Sequence, residues 1–116
     1  MSVGPDARFR IHLAEAETGI VLDLAGARII EPGAEAYIDC STWKEALEKK
    51  DALLRAYPFA EAWIHDISGQ QSASRFVDEA GLAKYLAASA RWNQWRYANP
   101  IRRLFMRKPP NPRSSR

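Results

Sequence analysis

Residues 8–14, Arg-Phe-Arg-Ile-His-Leu-Ala, alternate polar and apolar through Leu13. A period of two fits an extended strand with one buried face, because successive side chains leave a strand on opposite sides. Phe9, Ile11 and Leu13 therefore point toward a core, and Arg8, Arg10 and His12 point away from it. Residues 59–66 repeat the pattern. Ala60, Ala62 and Ile64 share one face, and Phe59, Glu61, Trp63 and His65 share the other.

The remaining elements fall around these two strands. Residues 20–24 predict a second strand with Ile20, Leu22 and Leu24 inward, joined to the first by a polar turn ending at Gly19. Arg28-Ile29-Ile30 predicts a short third piece before a Pro32-Gly33 turn. Residues 36–40 predict a strand with Ala36, Ile38 and Cys40 on one face and Tyr37 and Asp39 on the other. Thr42 followed by Glu45 is a capping box and opens a helix. Its stripe is Trp43, Ala46, Leu47, Leu53, Leu54 and Tyr57, interrupted by Lys50, whose amine is expected in water. Pro58 ends it. Ser68–Ser72 predicts a turn and Ser74–Val77 an edge strand. Asp78 caps a long helix through about Tyr97, with Leu82, Tyr85, Leu86, Ser89, Trp92 and Trp95 near one face. Asn99-Pro100 breaks it before a short amphipathic piece over Ile101–Arg107. The final Asn-Pro-Arg-Ser-Ser-Arg is expected to be loose.

The order implies an α+β two-layer sandwich. Its sheet is four- or five-stranded and mostly antiparallel, with two helices and a basic C-terminal extension. Residues 1–98 are expected to form one domain and 99–116 the extension. The strands flanking the first helix should be parallel or separated by another strand.

Composition narrows the classes further. One cysteine in 116 residues excludes an internal disulfide framework and a multi-cysteine zinc site. No apolar run approaches the roughly 20 residues of a membrane-spanning helix. The N-terminus lacks the basic and apolar regions of a signal peptide, so a cytoplasmic location is expected. The net charge of +3 is unevenly placed. Residues 1–90 hold nine Lys/Arg and fourteen Asp/Glu, net −5, while residues 91–116 hold eight Lys/Arg and no acid, net +8.

No phosphate loop, nucleophile elbow, His-Glu-x-x-His or calcium loop is present. His12, His65, Glu61 and Asp39 lie on the outer sheet face and would serve as an acid–base or metal set if their strands were neighbours. Alternation alone accounts for each of them, so the expectation is two solvated imidazoles far apart with no cleft between them. No catalytic residue, metal site or cofactor is expected, and the protein is expected not to be an enzyme. Cys40, on the core face with no histidine near it in sequence, is expected to be a core residue.

Tyr37, Asp39, Glu61, Trp63 and His65 place aromatic rings among charges, the anchor chemistry of protein interfaces. They point to a small non-catalytic protein-binding module, similar in size and charge to inhibitors and immunity or antitoxin-like proteins. A symmetric homodimer through the same face is a further reading of this patch. The alternative is a nucleic-acid-associated accessory protein using Arg91, Arg96, Arg102, Arg103, Arg107 and Lys108, with Trp92 and Trp95 either stacking on bases or packing in the core. The piece Ile101–Arg107 also has the makings of a segment that rests on an anionic membrane surface. No stretch is specific enough to name a family.

Overall fold

The computed structural model describes residues 7–31 and 34–112. The N-terminal hexapeptide, the expected Pro32-Gly33 turn and the last four tail residues lie outside the described residues. The chain divides into two compact units, Met1–Asp78 and Glu79–Arg116.

The first unit is an α+β fold built on one sheet. Its strands are β1 (Phe9–Glu15), β2 (Val21–Leu22), β3 (Ile38–Cys40), β4 (Ala60–Asp66) and β5 (Ser74–Val77), with helix α1 (Trp43–Ala56) between β3 and β4. All the strand pairings are antiparallel. β1 is central. β4 pairs with it along its whole length, from Phe9 opposite Asp66 to Glu15 opposite Ala60. Its other edge is shared: β3 pairs with Phe9–Ile11 and β2 with Leu13 and Ala14. β5 completes the sheet beyond β4. β3 and β4, on either side of α1 in sequence, are thus separated by β1, one of the two arrangements expected of them.

The alternation of residues 8–13 is realised side chain by side chain. Phe9, Ile11 and Leu13 are buried with Leu22, Cys40, Ala60, Ala62 and Ile64, and α1 closes this face with Ala46, Leu54 and Tyr57. Full burial of side chains such as Ile11, Leu13 and Ile64 contributes about 1.5–3 kcal/mol each. α1 begins where the capping box places it. The Thr42 hydroxyl accepts from the Glu45 amide at 3.1 Å, while the Glu45 carboxylate reaches back to Ser41, accepting from its hydroxyl at 3.2 Å. The helix ends at Tyr57, whose amide donates to the Leu53 carbonyl at 2.8 Å ahead of Pro58. Lys50 departs from expectation. Its amine lies 4.7 Å over the Phe76 ring and donates to Asp51, because ring and carboxylate together replace the water it gives up.

β2 is shorter than its apolar pattern predicts, and only Leu22 of its three inward candidates is buried. The cause is Asp23. Its carboxylate accepts from the amides of Ala25 and Ala27, both at 2.9 Å, and folds the chain into a tight turn. Leu22 then bridges to Arg28, all that forms of the expected third piece. Arg28 uses that position to grip buried Glu15 with two hydrogen bonds of 2.9 and 2.8 Å. At the other end of the sheet, Asp66 organises the 66–71 turn by accepting from the amides of Ser68 and Gln71.

The second unit consists of α2 (Glu79–Arg96) and the short α3 (Pro100–Arg103), which is capped by Asn99. The expected stripe on α2 is diluted by alanines around the helix, and no residue of α2 is buried. Trp92 and Trp95 are half-buried and pack on one another, with ring centroids 5.4 Å apart. The expectation of packing in a buried core, one of the two roles given to them, is not met.

Gly26 holds the β2 turn at φ +80°, and a Cβ there would meet the Tyr57 ring at 2.8 Å. Gly26→Ala should therefore lower stability by about 2–4 kcal/mol in urea unfolding, through strain and overpacking together. Gly19 has φ +74° but no neighbour within 4 Å of the added atom. Gly19→Ala should cost only about 1 kcal/mol, and equal losses at the two sites would contradict the Tyr57 contact.

Candidate functional site

The register of β1 against its partners decides which outer-face residues meet. Arg10 lies opposite Asp39 on one side and His65 on the other. His12 lies opposite Trp63, and Trp63 opposite Arg75. Ala14 lies opposite Glu61. Side chains directly or diagonally opposite on one face are within reach of one another, so a single band carries every outer-face candidate.

Two ion pairs frame the band. Arg10 Nε donates to Asp39 Oδ1 at 2.9 Å, and its guanidinium lies 4.4 Å over the Tyr37 ring. The hydrogen bond to Asp39 pushes the Arg10 pKa further up, and a hydrogen bond with Glu35 pushes the Tyr37 phenol up. On the far side Arg75 Nε donates to the Glu61 carboxylate, which is buried.

Between the ion pairs sit the two histidines. His12 Nδ1 and His65 Nε2 are 2.7 Å apart and share a hydrogen bond, and the rings are stacked with centroids 4.8 Å apart. His12 also lies parallel to the Trp63 indole, at 6.3 Å and 3°. The bond needs one ring to supply an N–H and the other a lone pair, so the pair holds together with at least one ring neutral. Burial, and then the neighbouring His65, lower the His12 pKa from its ordinary 6.5, with the Glu61 charge opposing them. His12 Nε2 and His65 Nδ1 are the ring nitrogens outside this bond. A cavity of about 570 Å³ adjoins it, lined by Arg10, His12, Tyr37 and His65 with the apolar Val21 and Ile67.

The expectation of two separated, solvated imidazoles is thus overturned: His12 and His65 are in contact beside a cavity. Alternation placed each on the outer face but carried no register, and the diagonal pairing across β1 and β4 makes the contact. Tyr37, Asp39, Trp63 and His65 are half-buried on this face, as is His12, whereas Glu61 is buried and its carboxylate is engaged by Arg75. The Asp39 charge is likewise met by Arg10. Among the described residues no three His, Cys, Asp or Glu side chains stand where they could share a metal ion. Cys40 is a core residue as expected, and burial pushes its thiol pKa up.

The basic candidates belong to the second unit. Arg103 Nη2 donates to the carbonyl of Arg96 at 2.7 Å and to that of Ala98 at 3.3 Å. Arg103 and Lys108 both lie over the Trp95 ring, at 5.1 and 5.2 Å, and Arg96 lies over Tyr97. Arg91, Arg102 and Arg107 are exposed.

The lowered His12 pKa fixes the sign of a pH effect. The unfolded imidazole takes up its proton first as pH falls, so stability is fullest above about 6.5 and is lost on acidification through the folded pKa. The urea midpoint should fall between about pH 7.5 and about pH 5.5, and His12→Gln should shrink that fall. A midpoint independent of pH over this window would contradict the pairing. No protein-family model, no curated protein and no solved structure matches this chain.

Proposed function

We propose that the chain is a small non-catalytic module that binds a partner protein through the outer face of its sheet, as inhibitors and immunity or antitoxin-like proteins do. The observation that carries this is the internal pairing of the face's charges. Arg10 is met by Asp39 and Arg75 by Glu61 within the monomer. A partner that covers them need not strip water from a lone charge, the costliest step in burying a polar surface. What the face offers is ring surface and hydrogen-bonding edges: Tyr37, His12 and His65 line a cavity that an anchor side chain of the partner would fill, and Trp63 lies parallel to His12. The histidines bond to each other rather than to a nucleophile, which favours recognition over catalysis. The first unit as a whole carries eight Lys/Arg and thirteen Asp/Glu, so its field steers a basic partner toward it.

A nucleic-acid role for the basic segment has less support. Base stacking needs an open aromatic face, and the Trp95 ring is already covered by Arg103 and Lys108. What is left to it is phosphate contacts by the exposed arginines and the open ring of Phe105.

Capture and crosslinking from the source cells, followed by titration of the recovered partner, tests the proposal. Trp63→Ala and Tyr37→Ala should each weaken binding by about thirtyfold or more, the range of interface anchors. A partner bound equally well by both variants would place the interface elsewhere. Salt-sensitive oligonucleotide binding that disappears on truncation after Ala98 would favour the nucleic-acid alternative.

A further inference from the structure

Four large apolar side chains near the basic end stand in water. Tyr97 is 74% exposed, Ile101 73%, Leu104 81% and Phe105 86%. Helical turns carry three of them. Asn99 accepts from the Arg102 amide at 2.7 Å and starts α3, and i to i−3 hydrogen bonds then continue through Leu104, Phe105 and Met106. This repeat sets Leu104 one turn beyond Ile101, with Phe105 beside it. Among them and just past them stand Arg102, Arg103, Arg107 and Lys108, and residues 91–116 contain eight Lys/Arg and no Asp/Glu.

We infer that residues 97–108 are an interfacial anchor that lies on an anionic bilayer, with the apolar side chains in the boundary between headgroups and acyl chains and the cations at the lipid phosphates. Each half of the segment argues for that occupant. Aliphatic and aromatic side chains this exposed gain from leaving water, and an acid-free cluster of cations gains from a negative surface. An anionic leaflet offers both within a few ångströms of depth. A nucleic acid rewards the cations but gives Ile101 and Leu104 nothing, since phosphates and base faces do not hold aliphatic groups in preference to water. A protein surface would have to combine an apolar patch with dense negative charge.

The backbone is prepared for this setting as well. Carbonyls at a helix end must find partners before they enter a poorly hydrated zone. The Arg103 guanidinium already takes those of Arg96 and Ala98, at the break between α2 and α3. None of the described helices is long and apolar enough to cross a membrane, so the segment lies on the surface rather than spanning it.

Co-sedimentation of the full chain with vesicles tests the inference. Vesicles of phosphatidylcholine with phosphatidylserine should bind it at least about tenfold more tightly than phosphatidylcholine alone. The double substitution Leu104→Ser/Phe105→Ser should lose about tenfold or more on the charged vesicles, and Arg102→Gln/Arg107→Gln should lose a similar factor. All four positions are exposed, so melting curves should match the parent, and Ile101→Ser serves where they do not. Absence of vesicle binding, equal binding to neutral and charged vesicles, or undiminished binding by the serine variant would each overturn the inference. Oligonucleotide binding retained by the serine variant, with no vesicle binding by the parent, would assign the segment to nucleic acid. Self-association lost in the serine variant, again without vesicle binding, would assign it to a second copy of the chain.

Discussion

The antiparallel ladder between β1 and β4 is the constraint on which the first unit rests. It aligns two alternating strands so that Ile11 meets Ile64 and Leu13 meets Ala62 on the side that α1 covers. The same alignment sends Arg10, His12, Trp63 and His65 to the opposite side. A slip of one residue would turn every one of these side chains over, so burial of the apolar set holds the polar set in place. The outer face is thus a consequence of core packing. Its positions are fixed by side chains it never touches.

The buried and half-buried carboxylates of the sheet and its turns are given partners. Glu15 and Glu61 are both buried carboxylates, and each is answered by an arginine from a neighbouring turn or strand, Arg28 and Arg75. Asp39 is answered by Arg10, and each histidine by the other. Truncating one member of such a pair leaves the other stranded at a cost well above the worth of the contact itself. The second unit is arranged differently. It holds nine Lys/Arg against one Asp/Glu, so its cations turn to rings and carbonyls of their own segment.

Much of this was legible in the sequence, for identifiable reasons. Strand faces follow from a period of two, so Phe9, Ile11 and Leu13 were readable as core. The Thr42/Glu45 box and Pro58 bracket α1 through local backbone chemistry that needs no tertiary information. Partners were not legible. Alternation assigns His12 and His65 to a face, but only the register, set by distant packing, makes them diagonal neighbours. Glu61 reads as an outer charge by the same logic, yet Arg75 on β5 draws it into an ion pair that the face accommodates. The shortening of β2 had a readable cause, since Asp23 followed three residues later by Gly26 is a turn signal, but the apolar run through Leu24 outweighed it. α2 misled for the opposite reason. Its large residues do fall along one side, but the alanines between them weaken the contrast that makes a stripe decisive.

The central place of β1 has a kinetic side. It is made well before its full-length partner β4, which begins at Ala60, and in between β2 and β3 offer it only two and three residues. At elongation rates of about 5–20 residues per second, the stretch between them takes several seconds to synthesise. Throughout that interval Phe9, Ile11 and Leu13 are committed to a sheet that cannot yet close, and one long strand edge is open to mispairing. Contacts so far apart in sequence also slow the search for the native pairing once the chain is whole. Arg8, Arg10 and His12, placed between the apolar side chains, keep the waiting strand charged on its other face, the protection that edge strands commonly carry against strand-to-strand association.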